Sequence, residues 1–268
     1  MAATPDPVQK KPLSGCNILV TRPKAQAETL CELIKAGGGH PIRLPTVEIA
    51  PLQDNQEAAR ILNDLACYDW LVFISVNAVY YAQAICAGEI PVTKQLKVAA
   101  VGKSTANVLK NIKIKVDLLP KEQFNSEALL ALPEMHSVYG QKIIIVRGEG
   151  GREHLAERLK NRGAEVVYAE VYRRLCPKTT VTPLLSLWKQ RGIQVVTITS
   201  TEILRNLITL LGAQGMEFLK QTPVVVASDR IAQDAKNYGL SKVVLAANPT
   251  NWALLDATIK ICGDMHRG

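Results

Sequence analysis

Two arginines stand directly after apolar runs, Arg22 after ILVT and Arg147 after KIIIV. An arginine at the carboxyl end of a buried strand lies where open α/β sheets bind ligands, and its planar fork fits a carboxylate or phosphate. Around Arg147 the chain reads RGEGGRE, in which Gly148, Gly150 and Gly151 permit a tight turn into a helix. Such a turn offers free N–H groups and the positive end of the helix dipole to an anion. Ser75, Gly102, Ser200 and Ser228 occupy the same place after WLVFI, VAAV, VVTIT and VVVA. Every α/β fold has turns of this kind, so it is their repetition that points to an anionic ligand. Ser75, Ser104, Thr105, Ser200 and Ser228 are read as helix N-caps first and ligand donors second. Arg152 divides evenly between a second carboxylate fork and a solvated surface residue. Tyr172 divides in the same way between a packed aromatic and a phenol that donates or acts as a weak acid. The chemistry on offer is anion binding with one weak proton donor.

Other chemistries lack their residues. Gly102, Lys103 and Ser104 suggest a P-loop, but its first glycine would fall at Lys97, inside a strand. Gly148, Glu149 and Gly150, with Glu170 downstream, suggest a dinucleotide fingerprint whose third glycine is replaced by Glu153. None of these strand-end serines is paired with a histidine nearby, so a hydrolase triad has no foothold. Six cysteines and four histidines are scattered without a CxxC pair, which argues for reduced core thiols and no metal site. The net charge of +8 fits a polyanionic small molecule as well as it fits simple solubility. With 5% aromatics and no basic block, nucleic-acid binding is not expected.

The elements that must position these residues alternate along the whole chain. Apolar runs at Ile18–Thr21, Trp70–Ile74, Lys97–Val101, Lys115–Leu119, Ile143–Val146, Gln194–Ile198, Val224–Ala227 and Lys242–Ala246 are expected strands, each followed by a helical pattern. Separate helices are expected over Thr201–Leu211 and Gly215–Lys220, and Ser126 is expected to cap SEALLAL. An offset of 125 residues lays Arg22 on Arg147, Leu30 on Leu155, Gly38 on Gly163 and Ser75 on Ser200. With a one-residue slip it also lays Gly102 on Ser228. This reads as a duplicated half. Alternation means parallel sheets with helices on both faces. Residues 41–50 and 165–174 read as matched extended connectors. The first fourteen residues lack an apolar core, so a disordered lead, a cytoplasmic location and no membrane contact are expected.

TRP at 21, GKSTA at 102, NSEALLALP at 125, RGEGGRE at 147 and EVYRR at 170 together make the chain resemble uroporphyrinogen-III synthases from Asn17 onward. The resemblance implies two doubly wound parallel-sheet lobes joined by a two-stranded connector, the chain crossing between them twice. Lobe one would be 1–40 with 175–268, lobe two 51–164, and the connectors 41–50 and 165–174. It implies a monomeric lyase that cyclises the polyanionic hydroxymethylbilane to uroporphyrinogen III, losing water and inverting the last pyrrole ring, with no cofactor. Tyr172 stands at the family's tyrosine position for assisting departure of the hydroxyl. Binding would fall to Arg22, Ser75, Gly102, Thr105, Ser126, Arg147, Gly148, Gly150 and Ser200. Ser228 is followed by Asp229, Arg230 and Ile231 where many members carry threonines, so only a backbone contact is expected there. The alternative is a non-catalytic two-lobed small-molecule binding or sensor protein, which shares the shape.

Overall fold

The computed structural model describes residues 11–151 and 153–265; Arg152 lies outside them. Strand β1 (Asn17–Val20) leads through helix α1 (Lys24–Ala36) to β2 (His40–Arg43) and β3 (Glu48–Pro51). Next come α2 (Gln56–Asn63), β4 (Trp70–Phe73), α3 (Val76–Ile85), β5 (Lys97–Ala100), α4 (Lys103–Asn111), α5 (Ser126–Leu130) and α6 (Pro133–His136). They are followed by β6 (Lys142–Gly148), α7 (His154–Asn161), β7 (Glu165–Leu175), α8 (Thr182–Lys189) and β8 (Val195–Ile198). The last elements are α9 (Thr201–Gln221), β9 (Val224–Val226), α10 (Asp229–Asn237), β10 (Val243–Leu245) and α11 (Asn251–Met265). Within α9, Gly212 at φ 60 breaks the helical path, which separates the two helical patterns of that stretch.

Among the described residues two five-stranded sheets result, ordered β10-β9-β8-β1-β2 and β3-β7-β6-β4-β5. In the first, β1 pairs in parallel with β2 and β8, and β9 with β8 and β10. In the second, β4 pairs in parallel with β5 and β6, and β6 with β7. The architecture is mixed α/β, dominated by parallel pairing. Strands buried on both faces must be apolar throughout, as Ile143–Val146 are. β2 carries Pro41, which cannot donate to a ladder, and it lies at a sheet edge.

Contacts divide the chain into two units, one reaching Glu48 and resuming at Leu175, the other Ile49–Arg174. In the second unit, α2, α3 and α4 pack on one sheet face through Ile61, Leu62, Val79 and Leu109 against Leu71, Phe73, Ile144 and Val146. Leu129, Met135, Leu155 and Leu159 cover the other face over Val72, Ile143 and Ile145. Under the 125-residue offset β1, β2, β8 and β9 fall on β6, β7, β4 and β5, and these strands run in the same order in both sheets. The backbone repeats as well. Ser75, Gly102, Ser200 and Ser228 all cap a helix with φ between −137 and −162 and ψ between 152 and 161.

Four expectations need correction. Ser104 and Thr105 do not cap a helix: Gly102 is the N-cap of α4 and both residues lie inside its first turn. Lys115–Leu119 forms no strand; only Leu118 bridges to Ala99. The Asp117 carboxylate accepts from Val98 N at 3.0 Å, taking the place of a strand carbonyl. Ser126 does not cap its helix: Asn125 does, accepting from Ala128 N at 2.8 Å, and Ser126 is the first helical residue. The expected disordered lead of fourteen residues does not hold for residues 11–14. Leu13 is fully buried and its N–H donates to Gly37 O at 2.9 Å, while residues 1–10 lie outside those described.

Candidate functional site

In the second unit the site is built where β6 ends. Arg147 pairs with Glu170 on β7, but Gly148 pairs with Tyr172, so one extra residue, Val171, is accommodated. A bulge of this kind turns the following side chain to the opposite sheet face. Tyr168 and Glu170 therefore lie on one face, and Tyr172 packs on the other with Phe73, Val146 and Val171. Its ring lies directly on Gly148, where a Cβ would come within 2.5 Å of Tyr172 Cε2. Glu149 N–H closes the turn on Tyr172 O at 2.8 Å. The Tyr172 ring is buried and sits 5.6 Å from the Tyr81 ring. Its hydroxyl lies 3.2 Å from Ser75 Oγ and accepts from Arg174 Nη2 at 3.3 Å. Ser75 Oγ also accepts from Ala78 N at 3.1 Å, so it caps α3 while touching the phenol.

Arg147 is turned inward. It is 5% exposed, with Nε and Nη2 donating to Glu170 Oε1 at 3.0 and 2.9 Å. Nη2 also reaches Glu153 Oε1 at 2.9 Å, and Nη1 reaches Gly151 O at 3.1 Å. The guanidinium lies 3.5 Å from the centre of the Tyr168 ring. Burial works against its charge, but the hydrogen bonds to Glu153 and Glu170 outweigh this and raise its pKa. Burial first, then the hydrogen bond to Glu153, pushes the Tyr168 phenol up to about 12. Arg147 thus holds the glycine turn in shape. Gly150, at φ 65, adopts a left-handed conformation that favours glycine.

The same cluster sets an acid dependence. Hydrogen bonds from Tyr168 and then Arg147 hold the Glu153 carboxyl below its ordinary value. A carboxyl with a depressed folded pKa contributes stability above its unfolded pKa and loses it as the pH falls through the folded one. Acidification below about pH 4.3 therefore removes this contribution. Glu153→Gln should flatten that part of the profile, measured as melting temperature from neutral to acid pH.

Gly102 caps α4, and Thr105, on its first turn, is buried. A Cβ at Gly102 would meet nothing closer than 3.9 Å, so packing does not require glycine there. In the first unit, Arg22 follows β1 and donates from Nε to Thr199 Oγ1 at 3.2 Å and from Nη1 to Asn251 Oδ1. Burial lowers its pKa. Ser200 Oγ accepts from Ile203 N at 3.1 Å and caps α9, whereas Ser228 caps α10 by backbone alone. Arg22, Ser200 and Ser228 thus lie at the carboxyl ends of β1, β8 and β9, and Ser75, Gly102 and Arg147 at those of β4, β5 and β6.

A cavity of about 710 Å³ in the second unit is lined by Asp54, Glu57, Glu149, Glu170, Tyr168 and Arg173, among others. Its four carboxylates would repel an acid-bearing ligand, so the strand-end turns carry the anion-binding reading. Among the described residues no group of three or more His, Cys, Asp or Glu is arranged to hold a metal ion. Nor is any helix among them long and apolar enough to cross a membrane. Sequence reasoning missed Arg174 and Tyr81 around the phenol, Glu153 and Tyr168 around Arg147, and Thr199 and Asn251 around Arg22. The one available signal was the spacing of Tyr168, Glu170 and Tyr172 on a single strand.

The family model described as uroporphyrinogen-III synthase HemD matches residues 28–256. The uroporphyrinogen-III synthase of Escherichia coli K12 is 32% identical over 243 residues, 90% of this chain and 99% of that protein. The enzyme of that name from Synechococcus elongatus is 29% identical over 263 residues, 91% of this chain and 98% of that protein. In fold the chain is similar to the uroporphyrinogen-III synthetase of Helicobacter pylori 26695, with TM-score 0.63 and 14% identity over 92% of this chain and 99% of that one. It is similar also to a mutant uroporphyrinogen III synthase of Thermus thermophilus, with TM-score 0.60 and 12% identity over 94% of this chain and 100% of that one. A family model matching residues 28–256 and a relative 32% identical over 90% of the chain lead to one conclusion: the chain belongs to the uroporphyrinogen-III synthase family.

Proposed function

We propose that the chain acts as a uroporphyrinogen-III synthase, a cyclising hydro-lyase of tetrapyrrole biosynthesis, with Tyr172 as its proton donor and the strand-end turns as its substrate grip. The substrate, hydroxymethylbilane, is a linear tetrapyrrole whose rings carry acetate and propionate groups. Free N–H groups at Ser75, Gly102, Ser200 and Ser228 take those carboxylates, each at the positive end of a helix. Gly102 lets a carboxylate approach the backbone without a side chain in the way. Thr105 and Ser126 lie within the first turn of their helices and line the same approaches, and Gly148 and Gly150 keep the turn after β6 open. Arg147 acts as a positioning residue, setting the turn on which the Tyr172 ring rests. Residues 41–50 and 165–174 serve as the connector of two lobes, 1–40 with 175–268 and 51–164, and the protein works as a cytoplasmic monomer.

The observation that carries the catalytic part is the 3.2 Å contact between Tyr172 Oη and Ser75 Oγ at the start of α3. With Arg174 donating to the phenol oxygen, the phenol proton is directed at Ser75. Ser75 is half-buried while the ring behind it is buried, so it passes that proton towards the leaving hydroxyl. Loss of water leaves an azafulvene, which closes through a spiro intermediate that inverts the last ring. The rest of the rate enhancement comes from holding the flexible chain folded. The reading is tested by supplying hydroxymethylbilane and separating the product isomers chromatographically. The type III isomer is expected; only the type I isomer of uncatalysed closure would refute it.

A further inference from the structure

The first unit contains a second cavity, of about 590 Å³, at the opposite edge of its sheet from Arg22, Ser200 and Ser228. Its lining includes Ile193 and Gln194 just before β8, Thr222 and Pro223 just before β9, and Lys242 just before β10. These are the amino ends of the strands. The four residues of β8 alone span about 13 Å between Gln194 and the turn at its carboxyl end. Among the described residues three cations line the cavity, Lys189, Arg191 and Lys242, and no carboxylate does. Among the described residues none of the three is in an ion pair with Asp or Glu, and Lys242 Nζ is held by Gln221 O at 3.0 Å. The apolar part of the lining includes Trp188 stacked on Phe218, with ring centres 6.4 Å apart, and the exposed Met265.

A second observation is independent of charge. Arg191 sits at φ 55, a left-handed conformation that a residue with a Cβ resists and glycine takes freely. It ends the α8 segment, where its N–H donates to Trp188 O at 2.8 Å, a position at which glycine is the usual choice. Nothing in the folding of this turn requires an arginine. The residue that stands there places its side chain in the lining of the cavity.

We propose that this cavity is a second ligand site, separate from the strand-end turns, that takes a planar organic anion. The ligand's ring lies against Phe218 and Met265, and its acid groups lie on Lys189, Arg191 and Lys242. Carboxylates and phosphates share this chemistry. The volume is in the range of small-molecule sites.

Two probes distinguish the source, adenosine monophosphate for a phosphate on a planar ring and benzene-1,3,5-tricarboxylate for carboxylates. Either should produce a saturable change in tryptophan emission that is absent from Trp188→Phe. A response to the first alone assigns a phosphorylated ligand, and to the second alone a carboxylated one. Calorimetric titration should show binding weakened about tenfold or more in Lys242→Ala and in Arg191→Gly. Arg191→Gly should meanwhile melt at or above the temperature of the unaltered protein, because it relieves the strained turn. A purely structural role for Arg191 would not separate affinity from stability in this way. Saturable binding of neither probe at millimolar concentration, or unchanged affinity in Arg191→Gly, would overturn the proposal.

Discussion

Tyr172→Phe is expected to lower turnover about 10²-fold, the low end of what a positioned proton donor contributes, while leaving the melting temperature nearly unchanged. Phenylalanine keeps the ring that rests on Gly148 and packs near Tyr81. It removes only the hydroxyl that touches Ser75 and Arg174. The loss should fall on kcat, because the proton is needed as the hydroxyl departs and not when the carboxylates are bound. Slower turnover also gives the bilane time to close unaided, so the share of type I product should rise with it. Steady-state kinetics with isomer separation measures both. Full turnover in the phenylalanine variant would show that the phenol supplies packing alone. Ser75→Ala tests the relay from the other side, with the same fall in kcat expected.

Gly148→Ala is expected to cost about 2 kcal/mol of stability, in the range for forcing an extra group into a packed core, and to take most of the activity with it. The added methyl would stand 2.5 and 2.6 Å from Tyr172 Cε2 and Cζ. An aromatic ring cannot bend away as a flexible side chain would, and this one is buried with its hydroxyl engaged at Ser75. Either the ring or the β6 end must shift, and each carries the phenol off its mark. Gly102→Ala is the contrast. There the methyl meets nothing closer than 3.9 Å, so stability should stay within about 1 kcal/mol, as for a changed N-cap. Its effect should instead be a raised KM if a carboxylate approaches that backbone. Thermal melts of the two variants side by side check the stability difference, and equal melting temperatures would contradict the packing argument.

The alternation of strands and helices was legible because parallel strands buried on both faces must be apolar end to end. The runs at Ile143–Val146 and Val195–Ile198 could be little else. Caps were less so. Asn125 and Ser126 are both good capping residues, and only the extended backbone at Asn125 decides between them. Leu13 gave no signal, since a single leucine among polar neighbours shows no period, yet it is buried beside Gly37 and Gly39. Lys115–Leu119 had the pattern of a strand, and Asp117 undid it by supplying its own carboxylate to Val98 N. A side chain that competes with the ladder cannot be recognised before its partner is known.

By itself the sequence determined the repeat and the places where chemistry could sit. Hydrophobic period and glycine position are local properties, and an offset of 125 residues survives in them. It also placed Arg22, Ser75, Gly102, Arg147, Ser200 and Ser228 at strand ends. Only the tertiary structure decided what those residues touch. It set β1 beside β8 and so gave Arg22 its partners Thr199, 177 residues away in the chain, and Asn251. It closed Glu153 and Glu170 on Arg147, turning an expected ligand fork into the brace of a turn. Above all it chose the face of Tyr172. Strand alternation would put Tyr172 with Tyr168 and Glu170, but the bulge opposite Gly148 moves it across the sheet to Ser75. That bulge is set by how β6 and β7 pair, and pairing between strands is a property of the folded chain that no single segment contains.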